Sequence, residues 1–134
     1  MSTTYDVSIV SADKTVASEV TDLVVAPGIN GYFGVLANHE PFLAALKTGV
    51  LFYNDAGGKT QKIAISGGFL ETDGKKVIVL ADAAETATDI DINRAMAALE
   101  RAKARLAQRD ADVSVSRATA ALERATNRLK VTGG

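Results

Sequence analysis

The feature that most constrains this 134-residue chain lies near its end, where one segment is written almost twice. Arg94 to Leu106 reads RAMAALERAKARL and Arg117 to Leu129 reads RATAALERATNRL, with ten of thirteen positions identical at an offset of 23 residues. Each copy carries an apolar stripe spaced 3-4-3-4: Ile92, Ala95, Leu99, Ala102 and Leu106, then Val115, Ala118, Leu122, Ala125 and Leu129. That period belongs to a helix, because strand side chains repeat every second residue. The polar stretch from Gln108 to Asp112 is long enough for one reversal. The expected object is an antiparallel helical hairpin, each seam facing its twin.

The seam bears on function. Alanine fills two of the five positions in each stripe, leaving three large apolar side chains per helix. Full burial of such a side chain is worth roughly 1.5–3 kcal/mol, whereas ordering a backbone residue costs about 1–2 kcal/mol. Docking of the pair should therefore be weak. Alanine, leucine, arginine and glutamate favour the helix itself, so each helix can persist once the pair opens. Stiff, loosely docked helices suit a switch, and an ordinary dimerisation or packing hairpin fits the repeat equally well.

Composition divides the chain into two modules. All Phe and Tyr lie at or before Phe69, and all seven arginines at or after Arg94. Residues 1–88 hold 6 Lys and 10 Asp plus Glu, net −4, and residues 89–134 hold 9 Lys plus Arg and 6 Asp plus Glu, net +3. The boundary is placed between Glu85 and Asp91, giving modules 1–88 and 89–134. A total charge of −1 argues against a nucleic-acid binder. Cysteine is absent, which excludes disulfides and thiolate metal sites. No apolar run approaches the length needed to span a bilayer, and the N-terminus resembles neither a signal peptide nor an Arg-rich transit peptide.

The first module reads as short strands separated by turn residues: Tyr5–Val10, Thr15–Val20, Leu23–Ala26, Gly31–Leu36, Val50–Tyr53, Lys62–Ser66, Phe69–Thr72 and Val77–Ala81. Asp73-Gly74 and Gly57-Gly58 read as hairpin turns, and Gly67-Gly68 as a bulge or close approach. The pattern predicts an all-β sandwich or flattened barrel. Ala37 to Pro41 is expected to be a loop leading into a turn of helix. His39, the only histidine, is read as a hydrogen-bonding loop residue, since no second ligand of its kind is near. Gly58-Lys59-Thr60 resembles the end of a phosphate-binding loop, but Tyr53 stands where that motif needs glycine. No paired carboxylates and no serine-histidine constellation can be argued from spacing, so no catalytic residue is assigned.

Arg94, Arg101 and Arg105, and again Arg117, Arg124 and Arg128, fall within about 40° of one line along their helices. On closure the two lines can share a rim and hold polyanionic groups with fork-shaped donors. A solvated basic face with weak local pairs to Glu100 and Glu123 is the simpler reading from spacing alone.

Three further motifs occur in order. The first is G-x-x-G-x-L-x-x-H-x-P at Gly31, Gly34, Leu36, His39 and Pro41. The second is ISGGFLE from Ile65 to Glu71, and the third is IDINRA from Ile90 to Ala95. Ahead of an Arg/Ala hairpin, they resemble the epsilon subunits of the rotary F-type ATP synthases over essentially the whole chain. The resemblance implies an α+β chain of two modules: a sandwich of about ten strands, then an antiparallel two-helix hairpin. It implies a non-catalytic central-stalk subunit bound to the gamma subunit and the c-subunit ring, on the cytoplasmic face of the bacterial cell membrane. A plastid-encoded relative would equally lack a transit peptide.

In such subunits the folded hairpin permits ATP hydrolysis, and the extended one reaches the alpha/beta catalytic head and restrains it. Some bacterial members bind ATP on the folded hairpin through I/L-D-x-x-R-A, which here is Ile90, Asp91, Arg94 and Ala95. The other matching positions are Glu85, Arg101, Arg124 and Arg128. ATP is thus implied as a regulatory ligand, with no obligatory cofactor and no metal. The loop that meets the c ring maps to Asn30, Gly31, Tyr32, His39 and Glu40, although Tyr32 stands where members often carry an acid. A free-standing ATP sensor or adaptor built from the same two modules is the alternative.

Overall fold

The structure, a computed structural model, describes residues 3–108 and 115–133. Eight strands come first: β1 (Tyr5–Val10), β2 (Thr15–Thr21), β3 (Val24–Gly28), β4 (Gly31–Val35), β5 (Phe42–Asn54), β6 (Thr60–Thr72), β7 (Lys76–Ala81) and β8 (Ala84–Thr86). A 3₁₀ turn over Ala87–Asp89 leads into α1 (Ile92–Gln108), and α2 (Val115–Val131) follows. The reversal expected over Gln108 to Asp112 lies, beyond Gln108, outside the described residues.

The strands form one hydrogen-bonded sheet in the order β2-β1-β7-β6-β5-β3-β4, with β8 beside β6, folded over on itself. The fold line runs through β5 and β6. Their pairing is interrupted opposite Lys47 and Gly67, and Gly67 and Gly68 take φ of 81° and 124°. A side chain at Gly68 would run into the Leu80 carbonyl and the Ala81 Cα, so only glycine allows β7 to approach this corner. Past the corner, β6 exchanges β8 for β7 as its neighbour. Each long strand therefore serves both layers, and counted by layer there are ten strand segments, as the resemblance implies.

Two expectations are corrected here. Val50–Tyr53 is the inner end of a thirteen-residue strand, and Lys62–Ser66 and Phe69–Thr72 are one strand, because Gly67-Gly68 bends the chain without breaking its ladder. After Asn38, which turns at φ 62°, the chain enters β5 directly with no turn of helix.

The main core lies between the layers. Tyr5, Val7 and Ile9 of β1 alternate inward to meet Val24, Leu51, Ile63, Ile65, Leu70 and Val79. A second, smaller cluster lies outside the sandwich, where Val50 and Ala64 meet Ile90, Ala95 and Val131. This explains why Val50 to Tyr53 and Ile63 to Ile65 are apolar without alternation: one face of each segment fills the core, the other carries the hairpin. Ala95 of early α1 and Val131 of late α2 share that cluster, so the helices run antiparallel.

The seam between them is narrower than the mixed stripe of alanines and large apolar residues that was expected. Ala95, Ala102, Ala118 and Ala125 are the buried side chains, while Leu99, Leu106, Leu122 and Leu129 are half-buried flanks. Small residues let the backbones approach until the leucines straddle the contact. Ile92 and Val115, the first residues of their helices, are exposed.

Candidate functional site

Antiparallel docking brings the start of α1, the end of α2 and the β8 segment together. A cleft of about 280 Å³ opens there, lined by Glu85, Asp89, Asp91, Arg94, Arg101 and Arg128 above Ala95 and Ala98. A neighbouring cleft of about 380 Å³ shares Glu85, Asp89 and Arg128 and extends toward Lys14. Together they reach the size of ordinary ligand sites.

Each acid in the cleft is already engaged. The Arg128 Nε donates to Glu85 Oε1 at 2.5 Å, with both side chains about one-third exposed. Asp91 caps α1: its carboxylate accepts the Arg94 backbone N–H at 3.1 Å, and its carbonyl accepts that of Ala95 at 3.0 Å. Asp89 faces the Lys14 ammonium at 3.6 Å. A hydrogen bond from the Thr86 side chain, and then the Lys14 charge, hold its carboxyl below the usual aspartate range. Arg94 and Arg101 are left with no ion pair among the described residues. Two free guanidiniums at a cleft whose acids are satisfied are fitted to receive a polyanion.

Six of the eight ATP positions implied by the resemblance thus share one cleft. The other two lie elsewhere. Ile90 is buried in the cluster beneath the hairpin, and Arg124 is half-buried on α2 outside the cleft lining. Asp89 and Lys14 are added by the structure; Lys14 is a distant loop residue with no local signature. Arg105 and Arg117 are exposed further along the helices, and Glu100 pairs with Lys103 at 3.8 Å.

The loop positions separate by role. Asn30 and Gly31 form the exposed β3–β4 turn, and His39 and Glu40 the exposed approach to β5. The two loops are joined by rings: Phe33 meets Phe42 edge-on at 5.8 Å, and Phe42 meets His39 at 4.9 Å. The His39 Nδ1 lies 2.9 Å from the Glu40 carbonyl. Tyr32 turns back onto its own sheet, where its hydroxyl accepts the Val50 N–H at 2.9 Å.

One surface was missed in the sequence. Leu43, Phe69 and Leu80 are 66%, 51% and 51% exposed. Phe69 pairs with Leu80, and with Ala45 two residues beyond Leu43, so all three share the outer face of the layer that lacks the hairpin. Apolar residues at both phases of these strands were the available signal.

Comparison with known proteins accounts for the whole chain. Residues 4–87 match the ATP synthase delta/epsilon chain beta-sandwich domain, and residues 88–133 its long alpha-helix domain. The ATP synthase epsilon chain of Carboxydothermus hydrogenoformans is 52% identical over 101 residues, 75% of each chain. That of Desulforamulus reducens is 46% identical over 130 residues, 97% of this chain and 98% of its own. Among solved structures, a chain of the Euglena gracilis mitochondrial ATP synthase superposes with a TM-score of 0.80 at 27% identity, covering 97% of this chain and 81% of that one. A chain from the Tetrahymena thermophila mitochondrial ATP synthase central stalk and c ring shares the fold, with TM-score 0.59 at 11% identity and 98% of each chain covered. With sandwich and hairpin matched in sequence and in order, the chain belongs to the epsilon chains of the ATP synthase delta/epsilon family.

Proposed function

We propose that the sandwich is the coupling piece of a rotary ATP synthase and the hairpin its regulatory piece. The sandwich binds the gamma subunit through the Leu43–Phe69–Leu80 face and rests on the c ring through the loops of Asn30-Gly31 and His39-Glu40, without Tyr32, whose hydroxyl is turned onto the sheet. It transmits rotation and performs no catalysis itself. The machine works at a membrane, on the cytoplasmic face in a bacterium; no described helix is long and apolar enough to cross one. The family assignment weighs against a free-standing adaptor.

One observation carries the regulatory half. The sandwich core closes without the helices, and among the described residues the hairpin is fastened to it by a small cluster, by Asn127 and by the Arg128–Glu85 pair. Its own seam is alanine. Release therefore breaks few contacts, and the freed helices can extend along the stalk to restrain hydrolysis. ATP in the Arg94–Arg101–Arg128 cleft would bind the docked hairpin alone and hold it by mass action. The arginines would meet the phosphates, with Glu85, Asp91 and adjacent backbone left for adenine and ribose.

Deleting residues 89–134 should leave assembly intact and raise ATPase activity of the catalytic head; unchanged activity removes the inhibitory role. Calorimetry on the isolated chain should show saturable ATP binding that Arg94→Ala weakens, and an absence of heat at millimolar ATP argues against the nucleotide site.

A further inference from the structure

A groove of about 700 Å³ lies between the sheet and the flank of α2 turned away from α1, and it shares no residue with the arginine cleft. At 100° per residue, Glu123, Asn127 and Lys130 span about 60° of α2, opposite the Ala118, Leu122, Ala125 and Leu129 face. The facing wall is β4, β5 and β6.

The chemistry of the lining is one-sided. Lys47, Lys62 and Lys130 all border the groove, and none has an ion pair among the described residues. Glu123 is the single acid. A cleft lined by cations over a low-dielectric wall concentrates anions, and each ammonium brings three donors. The Tyr32 hydroxyl accepts the Val50 N–H, which leaves its own proton to donate. Gly49 makes this reach possible, since a side chain there would stand 2.8 Å from the Tyr32 oxygen. Below the polar rim, Val50 and half-buried Phe52 supply an apolar floor. Inorganic phosphate would leave that floor unused.

We propose that this groove is a second ligand site, separate from the nucleotide cleft, for a small organic anion carrying at least two negative charges on an apolar body. Because its walls come from both the sheet and α2, only the docked hairpin presents it. An occupant therefore opposes release of α2. That consequence bears on the regulatory reading above; the binding itself does not depend on it.

The probe is naphthalene disulfonate, titrated into the full-length protein and followed by amide NMR. Saturable shifts are expected at Tyr32, Val50 and the Asn127 side chain. Affinity should fall by about tenfold or more in the Lys62→Gln/Lys130→Gln variant, whose unliganded spectrum reports an intact fold, and should hold in Arg94→Gln/Arg101→Gln. Hydrogen exchange of α2 amides should slow on binding. No saturable shift, binding indifferent to the lysines, or binding lost with the arginines overturns the site. Lysine-dependent binding that leaves α2 exchange unchanged overturns its restriction to the docked hairpin. Neither result depends on whether residues 89–134 inhibit ATPase, which the deletion reads separately.

Discussion

Asn127 is one of three places where the second copy of the repeat departs from the first, which carries Ala104 there. It is 5% exposed, and its amide nitrogen donates to the Gly49 carbonyl at 2.6 Å and the Ile65 carbonyl at 3.4 Å. Gly49 and Ile65 are register partners across β5 and β6, so one side chain pins α2 to a single point on the sheet. Asn127→Ala leaves those carbonyls beneath the helix without their donor, which costs the docked state about 1–3 kcal/mol. Faster hydrogen exchange in α2, with β1 and β7 unchanged, is the expected reading. Titratable residues set the pH limits instead. Asp55 is held below the ordinary 3.8 chiefly by the Gln61 amide and then the Lys59 N–H, and Asp73 by the Lys75 and Lys76 N–H groups. A lowered carboxylate stabilises the fold above 3.8, and that contribution is lost as pH falls below it. Burial pushes Tyr5 and Tyr53 up to about 12, so their contribution is whole below 10 and disappears as pH rises toward 12. Circular dichroism across pH should show both limbs, and Asp73→Asn should shallow the acid one.

The hairpin's behaviour follows from which side chains meet. Four alanines form the contact, so each helix sits close to its twin while little apolar area is buried. Ala125, fully buried, has no room for growth. Ala125→Leu should overpack the seam by about 1–3 kcal/mol. It should loosen the pair while sparing the sandwich, measured as exchange in both helices against exchange in β1 and β7. Helix existence and direction were legible from the repeat, because a 3.6-residue period survives in any context. Which stripe residues would be innermost was not, since period alone does not fix how closely two backbones approach. The strands show the same division. β1 alternated cleanly and was found to the residue, whereas the outer half of β5 was missed because Leu43 remains apolar while facing out.

At the scale of the molecule, the two faces of the sandwich have different fates. One is covered by the hairpin, and the other presents Leu43, Phe69 and Leu80 to solvent. Contiguous exposed apolar side chains on a folded surface mark a docking site. Phe69→Glu changes a side chain already half in water, so stability should shift by no more than about 0.5 kcal/mol. Recovery of the gamma subunit in a pull-down should nevertheless fall, and undiminished recovery would move the interface elsewhere. The arginine cleft joins residues from β8, α1 and α2, and the cleft beside it adds the β1–β2 loop. No spacing rule connects Lys14 to Asp89.

The sequence by itself determined the two modules, their secondary-structure types and the hairpin, because periodicity, turn chemistry and helix propensity act over a few residues and need no partner. Tertiary structure alone decided that β5 and β6 run through a corner and that, of the stripe residues, the alanines are innermost. It also decided that Asn127 is a fastening, and that Arg94 and Arg101 have no ion pair among the described residues, beside acids already engaged. Those outcomes depend on distances between segments far apart in the chain, which are fixed only when the whole core closes.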